Sequence, residues 1–151
     1  MECTVTDLPG VFRDLVRFQI ELWNAVDARL KTEHQLPLTW FEPLSVVAAR
    51  PGCRVQDIAA DLVITVGGTS KLVDRLEAAG LVRRSPHPGD GRSSVIELTD
   101  AGRALLARAG VTYTDELRLR LDAALPATEL EQLATTLRRL RAAGPTPGST
   151  S

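Results

Sequence analysis

Apolar residues recur along this chain at helical intervals in all but one stretch. Leu8, Val11, Phe12, Leu15, Leu22, Trp23, Val26 and Leu30 keep the i, i+3, i+4, i+7 spacing, interrupted only by Gln19, and predict one amphipathic helix over about 8–33. After a break at His34-Gln35-Leu36-Pro37, Thr39 and Glu42 stand as a capping box and predict a second helix. Pro43 falls in its first turn and Arg50-Pro51-Gly52 ends it. Val55, Ile58, Ala59 and Leu62 predict a short third helix. Thr65 then caps a fourth, with Thr69, Leu72, Val73 and Leu76 facing inward and Gly80 marking its end.

The exception lies between Leu81 and Leu98. Leu81-Val82-Arg83-Arg84-Ser85 and Ser94-Val95-Ile96-Glu97-Leu98 flank Pro86-His87-Pro88-Gly89-Asp90-Gly91-Arg92, so rich in turn formers that a β-hairpin is predicted. Thr99 caps a long helix bearing Leu105, Leu106, Ala109, Leu117 and Leu121 to about 124, with Gly110 as its weakest point. A last helix over about 127–142 places Leu130, Leu133, Ala134, Leu137 and Leu140 on one face, and Arg138, Arg139 and Arg141 near its end, where cations suit the dipole. The fold class is mainly α with one small hairpin. A single domain over about 8–142 is expected, with a flexible 1–7 and a disordered 143–151.

Composition narrows the function. The 151 residues are 44% hydrophobic and carry a formal net charge of -1, enough for a core but no global attraction to polyanions. Cys3 and Cys53 are too few for a disulfide framework or a four-thiolate zinc site and read as incidental thiols. No stretch approaches the roughly 18 apolar residues of a membrane span, and the first residues lack a signal-peptide pattern, so a cytoplasmic protein without membrane contact is expected. His34 and His87 are isolated from other ligand types. Without a nucleophile–base pair, a metal cluster or a phosphate-binding glycine loop, neither an enzyme nor a cofactor is expected.

Two short helices joined by a tight turn and followed at once by a charged hairpin make a winged helix-turn-helix, over about 39–99. Such a helix fits the major groove of double-stranded DNA, and a cationic hairpin tip fits the electronegative minor groove. The outward side of the fourth helix carries Val66, Gly67, Gly68, Ser70, Lys71 and Arg75. Ser70 and Lys71 suit base edges, Arg75 a guanine or a phosphate, and Thr65 a phosphate at the helix N-terminus. Each glycine costs a helix about 0.8–1.0 kcal/mol relative to Ala, for which close approach to DNA would compensate. Between Val66 and Arg92, Lys71, Arg75, Arg83, Arg84 and Arg92 stand against Asp74, Glu77 and Asp90, a modest local excess of positive charge. Arg83 and Arg84 alternate across their strand, so only one of them faces DNA; Arg84 is taken as that one. The other reading of this fold is a module that binds another protein without touching DNA.

The run from Lys71 to Gly102 resembles the MarR family of bacterial transcriptional regulators. Leu-Val-Asp-Arg-Leu-Glu, Gly-Leu-Val-Arg-Arg, Asp-x-Arg in the wing and Leu-Thr-x-x-Gly follow in the family's order and spacing, and the helix order extends the likeness to about 8–142. The resemblance implies a homodimeric repressor whose first helix and last two helices (about 8–33, 100–124 and 127–142) interdigitate with those of a second copy. It also implies a pseudo-palindromic operator with half-sites about one turn, ~34 Å, apart. Arg92 would enter the minor groove with Asp90 orienting it, although Asp90 is equally explained as a turn former. The family's usual Asp-Arg-Arg or Asp-Lys-Arg is here Asp90-Gly91-Arg92, and its usual Gly-Val-Ser is here Val63-Ile64-Thr65. The resemblance further implies release by a small aromatic or anionic effector in a pocket at the dimer interface. Phe18, Trp23, Trp40 and Phe41 would line that pocket, unless they simply pack in the core.

Overall fold

The computed structural model describes residues 6–87 and 89–144, and the side chains of all of these except 87 and 90–93. The termini at 1–5 and 145–151, Cys3, and the side chains of Asp90 and Arg92 lie outside the described residues. Along the chain come α1 (Leu8–His34), α2 (Leu38–Ala49), α3 (Val55–Leu62), α4 (Val66–Ala78), β1 (Val82–His87), β2 (Asp90–Leu98), α5 (Asp100–Leu121) and α6 (Ala127–Ala143). Among the described residues no helix is long and apolar enough to cross a membrane.

Three of the six helices among the described residues start on a local side-chain cap. Asp7 accepts from the Gly10 amide, Thr65 from Gly68 and Thr99 from Gly102, each capping its helix through a side-chain oxygen. The second helix departs from expectation. It opens at Leu38 with Pro37 in the cap position and no side-chain cap, so Thr39 and Glu42 form no capping box. The Leu38 amide donates to Asp27 Oδ1 of α1 at 2.9 Å, a tertiary bond that replaces the local one. With that earlier start, Pro43 lies in the second turn rather than the first, inside the helix.

The core gathers around α2, which buries Leu38, Phe41, Pro43, Leu44 and Val47. Val26 and Leu30 of α1, Ile58 of α3, Val73 and Leu76 of α4, Ile96 and Leu98 of β2 and Ala109 of α5 close on it. Cys53 is fully buried, and its carbonyl accepts from Ile96 N at 2.7 Å, fastening the hairpin to the loop after α2. Burial pushes its thiol pKa up to about 11, which keeps it protonated and unreactive. Glu116, also buried, is satisfied by Arg29 at 3.3 Å and Arg120 at 3.0 Å, pinning α1 to α5.

The hairpin pairs Val82 with Leu98 through Pro86 with Ser94, then shifts so that His87 faces Asp90. The strands thus reach further into the segment 86–92 than its turn formers suggest, and Gly91 and Arg92 belong to β2. The long helix ends at Leu121, short of 124, and passes through Gly110 unbroken. At the other end of the molecule much apolar surface stays open. Leu8, Phe12 and Leu15 of α1 and Leu140 of α6 are exposed, and no residue of α6 is buried.

Candidate nucleic-acid interface

The fourth helix buries Thr69, Val73 and Leu76 and turns its other side outward, because residues three and four apart share a face. Val66, Gly67, Gly68, Lys71 and Arg75 are exposed; Ser70 is half-buried. Thr65 Oγ1 takes the Gly68 amide at 3.1 Å, and Thr69 Oγ1 donates to the Thr65 carbonyl at 2.7 Å, so the start of the helix is held rigidly. The amides of Val66 and Gly67 have no intrahelical acceptor, as for any helix start, and give this end its affinity for anions.

Charge is partitioned by geometry. Arg84 reaches back from β1 to α4, where Nη1 lies 2.6 Å from Asp74 and 3.3 Å from Glu77, and Nη2 donates to the Ser70 carbonyl at 3.3 Å. The Arg84 amide also donates to Glu77 at 3.1 Å. Arg84 is therefore a strut between wing and helix, with its charge already engaged. Arg83 pairs across the hairpin with Glu97 at 3.0 Å. Lys71 and Arg75 have no carboxylate partner among the described residues, which leaves two uncompensated cations on the outer face of α4. Alternation along the strand separated Arg83 from Arg84 but could not show that both are paired.

A second feature is an apolar groove of about 570 Å³ between α1, α2 and α5. Phe12, Leu15, Phe18, Leu22 and Trp23 line it from α1, Leu38 and Glu42 from α2, Tyr113 and Leu117 from α5, and Leu137 from α6. Phe18 and Trp23 are thus where a pocket reading puts them, whereas Trp40 and Phe41 are not. Phe41 is 4% exposed and stacks on Tyr113 with ring centroids 4.5 Å apart; Trp40 packs half-buried against the core. The cause is helical phase: residues 38 and 42 of α2 face the groove, and 40 and 41 are rotated away from it. Tyr113 escaped the sequence reading, although it continues the four-residue step from Ala109 to Leu117.

Tyr113 donates to Glu42 Oε1 at 3.3 Å within this apolar lining. Burial holds the Glu42 carboxyl above its ordinary range, against the opposing effect of that hydrogen bond. Burial and the neighbouring Glu42 push the Tyr113 phenol up to about 12, so it remains a donor.

Comparison with known proteins agrees with this architecture. Residues 34–93 match the model of the MarR family. The chain is 46% identical over 133 residues to the HTH-type transcriptional regulator PecS of Dickeya dadantii, covering 86% of this chain and 76% of PecS. Among solved structures, Sco3205, a MarR family regulator from Streptomyces coelicolor in complex with DNA, superposes with a TM-score of 0.86 at 24% identity, over 100% of this chain and 97% of that one. The repressor CouR bound to a 23-mer DNA duplex superposes at 0.78 with 30% identity, over 85% and 89% of the two chains. CouR from Rhodococcus jostii bound to p-coumaroyl-CoA does so at 0.77 with 25% identity, over 96% of each. With a winged helix-turn-helix whose outer helix exposes Lys71 and Arg75, and with regulators of transcription as its relatives, the chain belongs to the MarR family of transcriptional regulators.

Proposed function

We propose that the chain acts in the cytoplasm as a homodimeric repressor that binds a pseudo-palindromic operator in double-stranded DNA. It leaves the operator when a small apolar effector enters the groove between α1, α2 and α5. The observation that carries the DNA reading is the pair Lys71 and Arg75, exposed on α4 beside the wing and without a carboxylate partner among the described residues. Val66, Gly67, Ser70, Lys71 and Arg75 face the major groove, and Thr65 with the first amides of α4 takes a phosphate. Gly68 keeps the cap closed, Arg92 with Asp90 takes the minor groove, and Arg84 positions α4 against the wing. CouR, at 30% identity, was solved on a DNA duplex, which supports this assignment.

Dimerisation is supported by the open apolar side chains of Leu8, Phe12 and Leu15 and by the unburied α6, surfaces that a second copy would cover. A two-fold pair would set its recognition helices about one turn, ~34 Å, apart. Among the described residues the groove lining holds no Lys, Arg or His, only Gln19, Glu42 and Tyr113 as polar groups. That favours an aromatic effector over an anionic one, since a carboxylate would meet Glu42 with no cation to pair it. To release DNA, such a ligand must bind the free dimer's conformation better than the bound one.

A mobility-shift titration on the DNA upstream of this chain's own gene tests the reading. Lys71→Ala and Arg92→Ala together should abolish the shift, and each lost phosphate contact should flatten the slope of log affinity against log salt by about 0.9. Arg84→Ala should weaken binding and leave that slope unchanged. Retained binding in the Lys71/Arg92 double variant would overturn the assignment.

A further inference from the structure

Three apolar side chains stand exposed within four residues where the chain enters its recognition helix: Val63 at 85%, Ile64 at 44% and Val66 at 57%. Turns and helix starts ordinarily carry polar residues. Val63 also holds a left-handed φ of 56°, rare for a β-branched residue, while its own side chain lies open to solvent.

The two glycines that follow have different surroundings. A methyl group on Gly68 would sit 3.0 Å from Thr65 Oγ1, the acceptor that caps the helix, so a side chain there would have to displace that hydroxyl by a few tenths of an ångström. A methyl group on Gly67 would meet nothing within 4 Å, and its φ is not left-handed. Neither space nor backbone within the chain requires glycine at 67, and alanine would favour the helix. The backbone at Gly67 is left bare toward the outside of the chain.

We propose that Val63, Ile64, Val66 and the bare backbone of Gly67 form an apolar contact that closes on the C5-methyl group of a thymine in the major groove. The contact is continuous with Lys71 on the next turn and rests on the DNA-binding reading above. Among major-groove base edges the thymine methyl is the distinctive apolar feature, and phosphates and sugars offer no equivalent specificity. A side-chain-free residue lets the start of the helix approach the base pair, and the flanking valines and isoleucine then exclude water around the methyl.

Duplexes enriched from a random pool by the full-length chain supply the probe. Each thymine is replaced in turn by deoxyuridine, which keeps base pairing and deletes only the methyl group. At one or two thymines in each half-site, the replacement should weaken the parent about fourfold, the value of burying one methyl-sized group. Val66→Ala should lose that discrimination. Gly67→Ala should bind the thymine duplex more weakly while melting at the same temperature as the parent or higher. Uniform tolerance of uracil overturns the proposal, and so does a Gly67→Ala variant that melts lower and binds as well as the parent. Failure to enrich any duplex would refute DNA binding itself, a result distinct from these.

Discussion

Replacing glycine by alanine at two positions of α5 should move stability in opposite directions. At Gly102 a Cβ would fall directly on the Leu81 carbonyl oxygen, with the carbonyl carbon at 3.0 Å and the Cα at 3.3 Å. That segment of backbone is held in place. The Leu81 carbonyl accepts from Thr99 N at 3.0 Å, the Gly80 carbonyl accepts from Thr99 Oγ1 at 2.6 Å, and Thr99 Oγ1 accepts from Gly102 N at 3.0 Å. Alanine must therefore push the helix start away from the turn before β1. Overpacking against fixed atoms costs about 1–3 kcal/mol. Loosening the Thr99 cap adds about 1 kcal/mol, and stretching the Leu81 bond about another 1 kcal/mol. Gained helix propensity offsets about 1 kcal/mol, which leaves a net loss of about 2–4 kcal/mol. At Gly110, in the same helix, a Cβ meets nothing within 4 Å, so Gly110→Ala should gain about 0.5–1 kcal/mol. Urea unfolding followed by far-UV circular dichroism, at one fixed protein concentration, reads both values. A Gly102→Ala variant within about 0.5 kcal/mol of the parent would refute the close approach of α5 to Leu81.

Thr65→Ala removes the acceptor of the Gly68 amide and should lower stability by about 1 kcal/mol in the same urea assay. Glu42 supplies a pH dependence: its carboxyl is held above the ordinary 4.5 by burial, so the native chain binds that proton more tightly than the unfolded chain. The resulting stabilisation is complete below pH 4.5 and is lost as pH rises through the native value. Melting temperatures across that range should fall less in Glu42→Gln than in the parent, and parallel curves would count against it. Leu137→Glu with Leu140→Glu should leave a folded monomer by sedimentation analysis, since both side chains are at least 42% exposed in the single chain; a persistent dimer would move the interface elsewhere.

What the sequence determined by itself is whatever depends on neighbours along the chain. The 3.6-residue spacing located each helix, Thr65 and Thr99 were readable as caps because a cap's partner lies three residues ahead, and two β-rich runs around turn formers marked the hairpin. Tertiary structure decided the rest, because those partners are distant in sequence. Thr39 and Glu42 are spaced for a capping box, yet Asp27, eleven residues before Leu38, takes the helix's first amide and Tyr113 takes Glu42. Arg84 looks like any wing arginine until Asp74 and Glu77 are seen across the strand–helix contact. Trp40 and Phe41 are turned from the groove by helical phase, and because α2 is apolar on nearly every side, hydrophobic content alone left that rotation undetermined. Gly67 and Gly68 are adjacent and chemically identical; only the space around each shows that Gly68 lies against the Thr65 hydroxyl and Gly67 is open to the outside.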